Sequence, residues 1–258
     1  MEKIRIQKII ADSGYCSRRK AEELISQGRV KFYDKVVTEL GFKCYPDDEI
    51  KIDDKLISNT KSGFTYLLLN KPVGYVSTLY DPQRRKTVKE LIPSSYGRLF
   101  PVGRLDVNSS GLLIMTDDGE FANLVSHPSS SPEKEYIVTC KNPLRGDEVK
   151  QLEAGLFIES EGYRAKPAKA KVIRSDADSI TMSIIITEGK KREVRHMMAT
   201  LNHPVITLVR VRIASLNLGD LKRGQYREIK PSEIEAIKSF CIAKKRKNES
   251  KRPQIKKP

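Results

Sequence analysis

The sequence predicts an α+β protein: a small N-terminal α/β module, then a larger domain on a mixed, largely antiparallel sheet. Three observations carry this expectation. Strand-sized apolar runs are numerous, the helical patterns between them are few, and the two do not alternate regularly as a parallel doubly wound sheet requires. A polar segment, "SNTKSG", also divides a first unit of under 60 residues from the remainder. The expected organisation is a module at 1–57, a linker at 58–63, a second domain at 64–241 and a basic, disordered tail at 242–258.

The elements follow in order. "IRIQKIIADS" places apolar residues at 4, 6, 9 and 10, the stripe of a short amphipathic helix ending near Gly14. Ser17 is an N-cap for a second helix, Ala21, Leu24 and Ile25 form its buried stripe, and Gly28 closes it. "RVKF" and "KVV" read as strands about a "YD" turn, and "EIKIDDKLI" as a hairpin. In the second domain, "FTYLLLNKPVGYVST" reads as a strand, a Lys-Pro-x-Gly turn and a second strand. Further strands are expected at "GLLIMT", "KEYIVTC", "AKVIRS", "SITMSIIIT", "ITLVRVRIASL" and "QYREI", and helices at "GEFANLVSH", "GDEVKQLEAG", "KREVRHMMATLN" and "PSEIEAIKSF". Residues beyond 242 hold almost nothing to bury, which predicts disorder there.

Charge narrows the function. Lys and Arg total 48 against 33 Asp and Glu, a net +15 over 258 residues. Residues 1–57 are nearly balanced at +1, whereas 242–258 alone carry +7. A one-sided excess of this kind points to a polyanionic partner, with nucleic acid favoured over an acidic membrane surface. No apolar run approaches the roughly 20 residues of a membrane helix, and "MEKIRIQKII" lacks a signal-peptide core, so a cytoplasmic protein without a membrane partner is expected. Cys16, Cys44, Cys140 and Cys241 form no C-x-x-C pair and are expected reduced and mostly buried. With only three histidines, no metal site is expected. A monomer is the default.

Several constellations could carry chemistry. Arg18, Arg19 and Lys20 open a helix, and Arg29 and Lys31 lie on the next strand. Helix N-termini favour phosphate, and arginines there add bidentate contacts. Clustering opposite an acidic hairpin favours nucleic-acid backbone binding over a merely solvated face. By size and pattern the unit resembles the small RNA-binding module first described in a ribosomal small-subunit protein, with "YDK" where that hairpin usually has Asn-Gly.

In "GRLDVNSSG", Arg104 and Asp106 at i, i+2 of an extended segment project together, "NSSG" bends the chain, and "LLIMT" anchors it. Taken alone, the turn reading leads, since an Asp before a turn usually makes an Asx-type hydrogen bond. Tyr136 suits stacking on a base, although spacing alone favours an ordinary core tyrosine. Arg192 and Arg195 lie at i, i+3, one able to face phosphate and the other a buried carboxylate. His196 and His203 have no matching ligands or nucleophile and read as structural or surface residues.

Four segments in order, "KPVGYVST", "VGRLDVNSSGLLIMTDDGEFANLVSHP", "EKEYIVT" and "EGKKREVRHMMATLNHPVITLVRVRIASLNLGDLKRGQYREI", follow the RNA-binding unit. Together they resemble the bacterial ribosomal RNA pseudouridine synthases over about residues 3–235, in the branch typified by the small-subunit uridine enzyme and its large-subunit relatives. "VRHMM" departs from the family, many of whose members carry two consecutive arginines there. "KREVR" and the basic tail lean toward the large-subunit relatives.

The resemblance implies the pseudouridine synthase fold, no cofactor, and ribosomal RNA or a ribosomal subunit precursor as partner. It assigns Asp106 as the reacting carboxylate, as nucleophile or base, and Arg195 as its ion-pair partner. Tyr136 would stack on the uracil and help remove its carbon-5 proton, while Arg104 and Arg192 would contact RNA. A non-catalytic RNA-binding ribosome-assembly factor uses the same basic surfaces without the Asp–Tyr–Arg set. A hydrolytic glycosidase would release free uracil.

Overall fold

The computed structural model describes residues 2–57, 63–130 and 132–250. The expected linker, apart from Gly63, and residues 251–258 of the expected tail lie outside the described residues. The chain divides into two units. One gathers the described residues up to Thr65 with Ser94–Leu99 and Asp117–Gly119; the other holds Tyr66–Pro93, Phe100–Thr116 and the chain from Glu120 onward.

In the first unit, α1 (Ile6–Asp12) and α2 (Arg18–Ser26) pack beside short strands. The Ser17 side chain accepts from the Lys20 amide at 3.1 Å, and Gly28 closes α2 at φ +69°, as the capping pattern predicts. Strands β1 (Ile4–Arg5) and β4 (Lys43–Cys44) pair with each other, while β2 (Val30–Phe32), β3 (Lys35–Val37), β5 (Ile50–Ile52) and β6 (Lys55–Leu56) form a second antiparallel sheet in the order β3-β2-β5-β6. Ile6, Ile9, Ile10, Leu24, Ile25 and Ile52 make its core.

The second unit is built on a nine-stranded sheet. Its strands are β7 (Tyr66–Lys71), β8 (Phe100–Val102), β9 (Ser110–Thr116), β10 (Lys134–Lys141), β13 (Lys169–Ser175), β14 (Ser179–Ile186), β15 (Val205–Ile213), β16 (Leu216–Asn217) and β17 (Tyr226–Glu228). The order runs β13-β14-β10-β15-β9-β7-β17, with β16 on β15 and β8 on β9. Every neighbouring pair is antiparallel except β15 with β9. The mixed, largely antiparallel sheet is therefore the predicted one. A separate hairpin joins β11 (Phe157–Ile158) to β12 (Tyr163–Arg164).

Four further α-helices lie among the described residues: α3 (Gly119–Ser126), α4 (Gly146–Ala154), α5 (Glu193–Thr200) and α6 (Pro231–Ser250). Phe121 and Val125 of α3 and Ile234, Ile237 and Cys241 of α6 pack with Leu68, Leu112 and Ile114 of β7 and β9. No helix among the described residues is long and apolar enough to cross a membrane. All four cysteines are free thiols, three of them buried.

Two local expectations need correction, and one strand was not expected. The segment expected as a disordered tail is helical through Ser250. Ile234, Ile237 and Cys241 anchor the helix, its basic run contains good helix formers, and Asn248 Nδ2 donates to the Ser129 carbonyl at 2.7 Å. "YVST" forms no strand: Val76 makes one isolated bridge to Thr87, and Ser77 is committed elsewhere, as described below. The sequence also hid β8, because a three-residue strand centred on Pro101 gives no periodicity and lacks one donor.

Candidate active site

Asp106 lies in the turn between β8 and β9, and that turn is held by backbone contacts at five successive residues. Ser77 Oγ donates to the Leu105 carbonyl at 2.8 Å and accepts from the Leu105 amide at 3.1 Å. The Lys71 ammonium donates to the carbonyls of Asp106 (3.1 Å), Ser109 (2.8 Å) and Pro72 (3.0 Å). The Gly74 amide reaches the Val107 carbonyl at 2.9 Å, and Arg195 Nη2 the Asn108 carbonyl at 2.7 Å. Each such bond contributes about 1 kcal/mol net. Together they fix the path of residues 105–109, so the carboxylate is mounted on a rigid support.

Four of the five positions are held by residues 71–77, which explains "KPVGYVST" chemically. Lys71 ends β7, Pro72 stops the strand from continuing, and Gly74 at φ +91° turns the chain so that its amide meets the Asp106 turn. Lys71 is completely buried, and burial pulls its ammonium down to about 8, with Arg210 adding to the effect and Asp106 opposing it. Sequence reasoning missed Lys71 and Ser77 as site residues. The Lys-Pro-x-Gly turn was visible, but nothing local shows that its lysine points inward.

The turn ends at Gly111, where β9 meets β15. Gly111 adopts φ +106°, and a Cβ there would sit 2.2 Å from the Arg210 carbonyl oxygen and 2.6 Å from its nitrogen. The parallel β9–β15 contact thus requires glycine.

Asp106, Tyr136, Arg104 and Arg192 all line one cleft of about 890 Å³ in the second unit. The Asp106 side chain is 32% exposed, with Arg192 Nη1 at 4.0 Å from Oδ2. Arg192 stands just before α5 with φ +54°, a left-handed conformation that is uncommon for a residue with a side chain. The expected ion pair is therefore redistributed: the arginine at salt-bridge distance is Arg192, while Arg195 holds the Asp106 turn through its backbone. Leaving the helix before Glu193 breaks the i, i+3 relation expected for the two arginines and turns Arg192 toward the cleft. Arg195 Nη1 also donates to the Val205 carbonyl at 3.4 Å, and burial lowers its pKa, with Asp106 opposing that shift.

Tyr136 lies on β10 and is 8% exposed. It is part of the buried core and at the same time lines the cleft. Arg104 is exposed on the cleft rim. Glu193, at the start of α5, is buried in the same cleft, and burial with the neighbouring Glu188 raises its carboxyl to about 7. His203 is a structural residue bonded to the Lys141 carbonyl and Glu148 at 3.2 Å each, while His196 lies 3.5 Å from Glu161.

In the first unit the expected RNA-contacting cations fall into two groups. Arg29 grips Asp53 bidentately at 2.8 and 2.6 Å, Lys31 reaches Asp54 at 2.6 Å, and Lys20 reaches Glu23 at 2.8 Å. Arg18 and Arg19 are exposed and carry no ion pair with the described residues. The acidic hairpin is thus the partner of Arg29 and Lys31, which the sequence had placed opposite it as free phosphate donors.

Comparison with known proteins agrees with this organisation. A family model described as RNA pseudouridylate synthase matches residues 65–200, and one described as S4 domain matches residues 4–50. Ribosomal large subunit pseudouridine synthase B of Bacillus subtilis is 41% identical over 239 residues, spanning 92% of this chain and 96% of its own length. An uncharacterized RNA pseudouridine synthase of Aquifex aeolicus is 37% identical, spanning 91% of this chain and 93% of its own. A crystal structure of pseudouridylate synthase superposes with a TM-score of 0.66 at 30% identity, over 91% of this chain and 99% of that one.

Proposed function

Because the chain belongs to the RNA pseudouridylate synthase family, whose members are isomerases, we propose that it converts a uridine of large-subunit ribosomal RNA to pseudouridine, with Asp106 as the reacting carboxylate. The observation that carries this reading is the Asp106 turn, clamped at five successive residues beside a cleft that also holds Tyr136 and Arg192. A binding protein has no use for a carboxylate mounted so rigidly; a reaction at one carbon atom does.

The isomerisation breaks the bond between ribose carbon-1′ and uracil nitrogen-1, turns the base, and joins carbon-1′ to carbon-5. Carbon-5 loses a proton and nitrogen-1 gains one, so RNA mass is unchanged. Asp106 acts at the ribose, Arg192 supplies positive charge beside it, and Tyr136 stacks on the base and assists departure of the carbon-5 proton. The target must first leave its stack, at a cost of about a few kcal/mol. Phosphate contacts from exposed cations, Arg104 at the cleft and Arg18 and Arg19 on the S4 domain, offset that cost.

Asp106→Asn tests the assignment. Release of tritium from RNA carrying carbon-5-labelled uridine is expected to fall about 10³-fold or more, with RNA affinity changed less than about twofold. Substantial turnover by the Asn variant would remove Asp106 from this role. Free uracil as the product would identify hydrolysis instead.

A further inference from the structure

Arg210 occupies the middle of β15 and is 3% exposed. Its Nε donates to the Leu112 carbonyl at 2.8 Å. Its Nη2 is wholly enclosed and finds no hydrogen-bond partner among the described residues. Arg212, two residues on, shows the ordinary solution: it pairs with Glu135 at 2.8 Å and Glu133 at 3.5 Å and donates to the Ala214 carbonyl at 2.7 Å. Leaving a buried charged donor unmet is costly, so a group kept in that state calls for a reason beyond packing.

Its position supplies one. Arg210 is the cross-strand partner of Tyr136, so the two side chains share a face of the sheet, and both line the cleft. Through its own backbone Arg210 abuts Gly111, at the end of the Asp106 turn. Guanidinium, phenol and carboxylate are thereby set by paired strands. The exposed cations of the cleft, Arg104, Lys190 and Lys191, are placed for hydrated phosphate. A donor buried beside the tyrosine suits instead the flat base that enters deepest.

We propose, resting on the uridine reading above, that Arg210 recognises the uracil itself by donating from its guanidinium to a ring carbonyl. Uracil offers carbonyl acceptors at positions 2 and 4, whereas cytosine presents an amino group at position 4 that would meet the guanidinium donor to donor. When the carbon-1′ to nitrogen-1 bond breaks, its electron pair moves onto the uracil ring and its carbonyl oxygens. A donor already in place then binds more strongly than in the ground state.

The test pairs protein variants with altered substrates. Once the target is mapped, RNAs are prepared with uridine, 2-thiouridine or 4-thiouridine at that position alone, sulfur being the poorer acceptor, and the isomerised nucleoside is read by chromatography. Arg210→Met is expected to lower kcat on uridine about 100-fold with a smaller change in KM, and Arg210→Lys to recover part of the loss. On one of the two thio substrates the wild-type protein is expected to lose about tenfold, and Arg210→Met nothing further, which also identifies the carbonyl. Full, additive sulfur penalties in Arg210→Met on both substrates would overturn the inference, as would wild-type kcat in that variant. If Arg210→Met does not fold by thermal melting, the same comparison on Arg210→Lys decides. A wild-type protein inactive on uridine RNA overturns the underlying reading, and the inference with it, whatever the variants do.

Discussion

In the N-terminal module, Arg29 and Lys31 close on the carboxylates of Asp53 and Asp54, while in the second unit Lys71 and Arg195 close on backbone carbonyls. The first pairs lie at the surface, where water and salt screen them and they contribute little to stability. Lys71 is fully buried, its three donors each meeting a carbonyl of the chain that positions Asp106. A cation paired with a carboxylate mainly balances charge. A cation paired with carbonyls fixes the course of the main chain while keeping its own positive charge in the site. The same residue type thus serves as surface chemistry in one unit and as scaffolding in the other.

The sharpest way to break this contrast is Lys71→Met, which keeps the length and removes the donors. We expect kcat to fall about 100-fold with RNA affinity within about twofold, measured by tritium release and filter binding. A comparable loss of affinity instead would mean that Lys71 serves RNA directly. The pH profile separates positioning from bulk. Raising pH through about 8 removes the proton from Lys71, and one of its three donors with it, so wild-type kcat should decline there. Stability moves the opposite way. The folded-state value lies below the ordinary value of about 10.4, so between these the folded chain binds fewer protons and the lysine's contribution to stability rises with pH. Lys134 is also pulled down to about 8, by burial first and then Arg210, so loss of the alkaline decline in Lys71→Met is the result that assigns it.

Smaller effects should follow the module's division. Arg18→Ala with Arg19→Ala should weaken RNA binding several-fold at fixed salt and reduce the slope of log affinity against log salt by about 1 per arginine, with kcat at saturating RNA unchanged. An unaltered slope would remove that face from the interface. Smallest of all, Arg29→Ala should leave the thermal midpoint almost unchanged and shift RNA affinity by less than about twofold, because its charge is already met by Asp53. An effect equal to that of Arg18 and Arg19 would show that RNA displaces the ion pair.

Local chemistry made much of this legible in the sequence. Ser17 and Gly28 mark the ends of α2, period-two runs mark β10 and β14, and Val194, Met197 and Met198 mark the buried side of α5. Asp106 was singled out beside a turn, but which arginine would approach it was not readable. The left-handed backbone at Arg192 arises from how the chain enters α5, a tertiary outcome. Lys71 and Arg210 were hidden for a related reason. Neither a lysine before proline nor an arginine in "LVRVRI" carries a local signal of burial. Only assembly of β7, β9, β10 and β15 encloses them. Whether Arg29 and Lys31 were free or paired depended likewise on where the β5–β6 turn brought Asp53 and Asp54.

Every clamp on residues 105–109 grips main-chain atoms, so the side chains of Val107 and Asn108 take no part in holding the turn. Substitutions there alter the surface shown to RNA at the mouth of the cleft while the carboxylate keeps its place. Descendants of such a chain are free to drift toward new target sequences without first rebuilding their chemistry, and a laboratory library confined to those two positions begins from the same freedom.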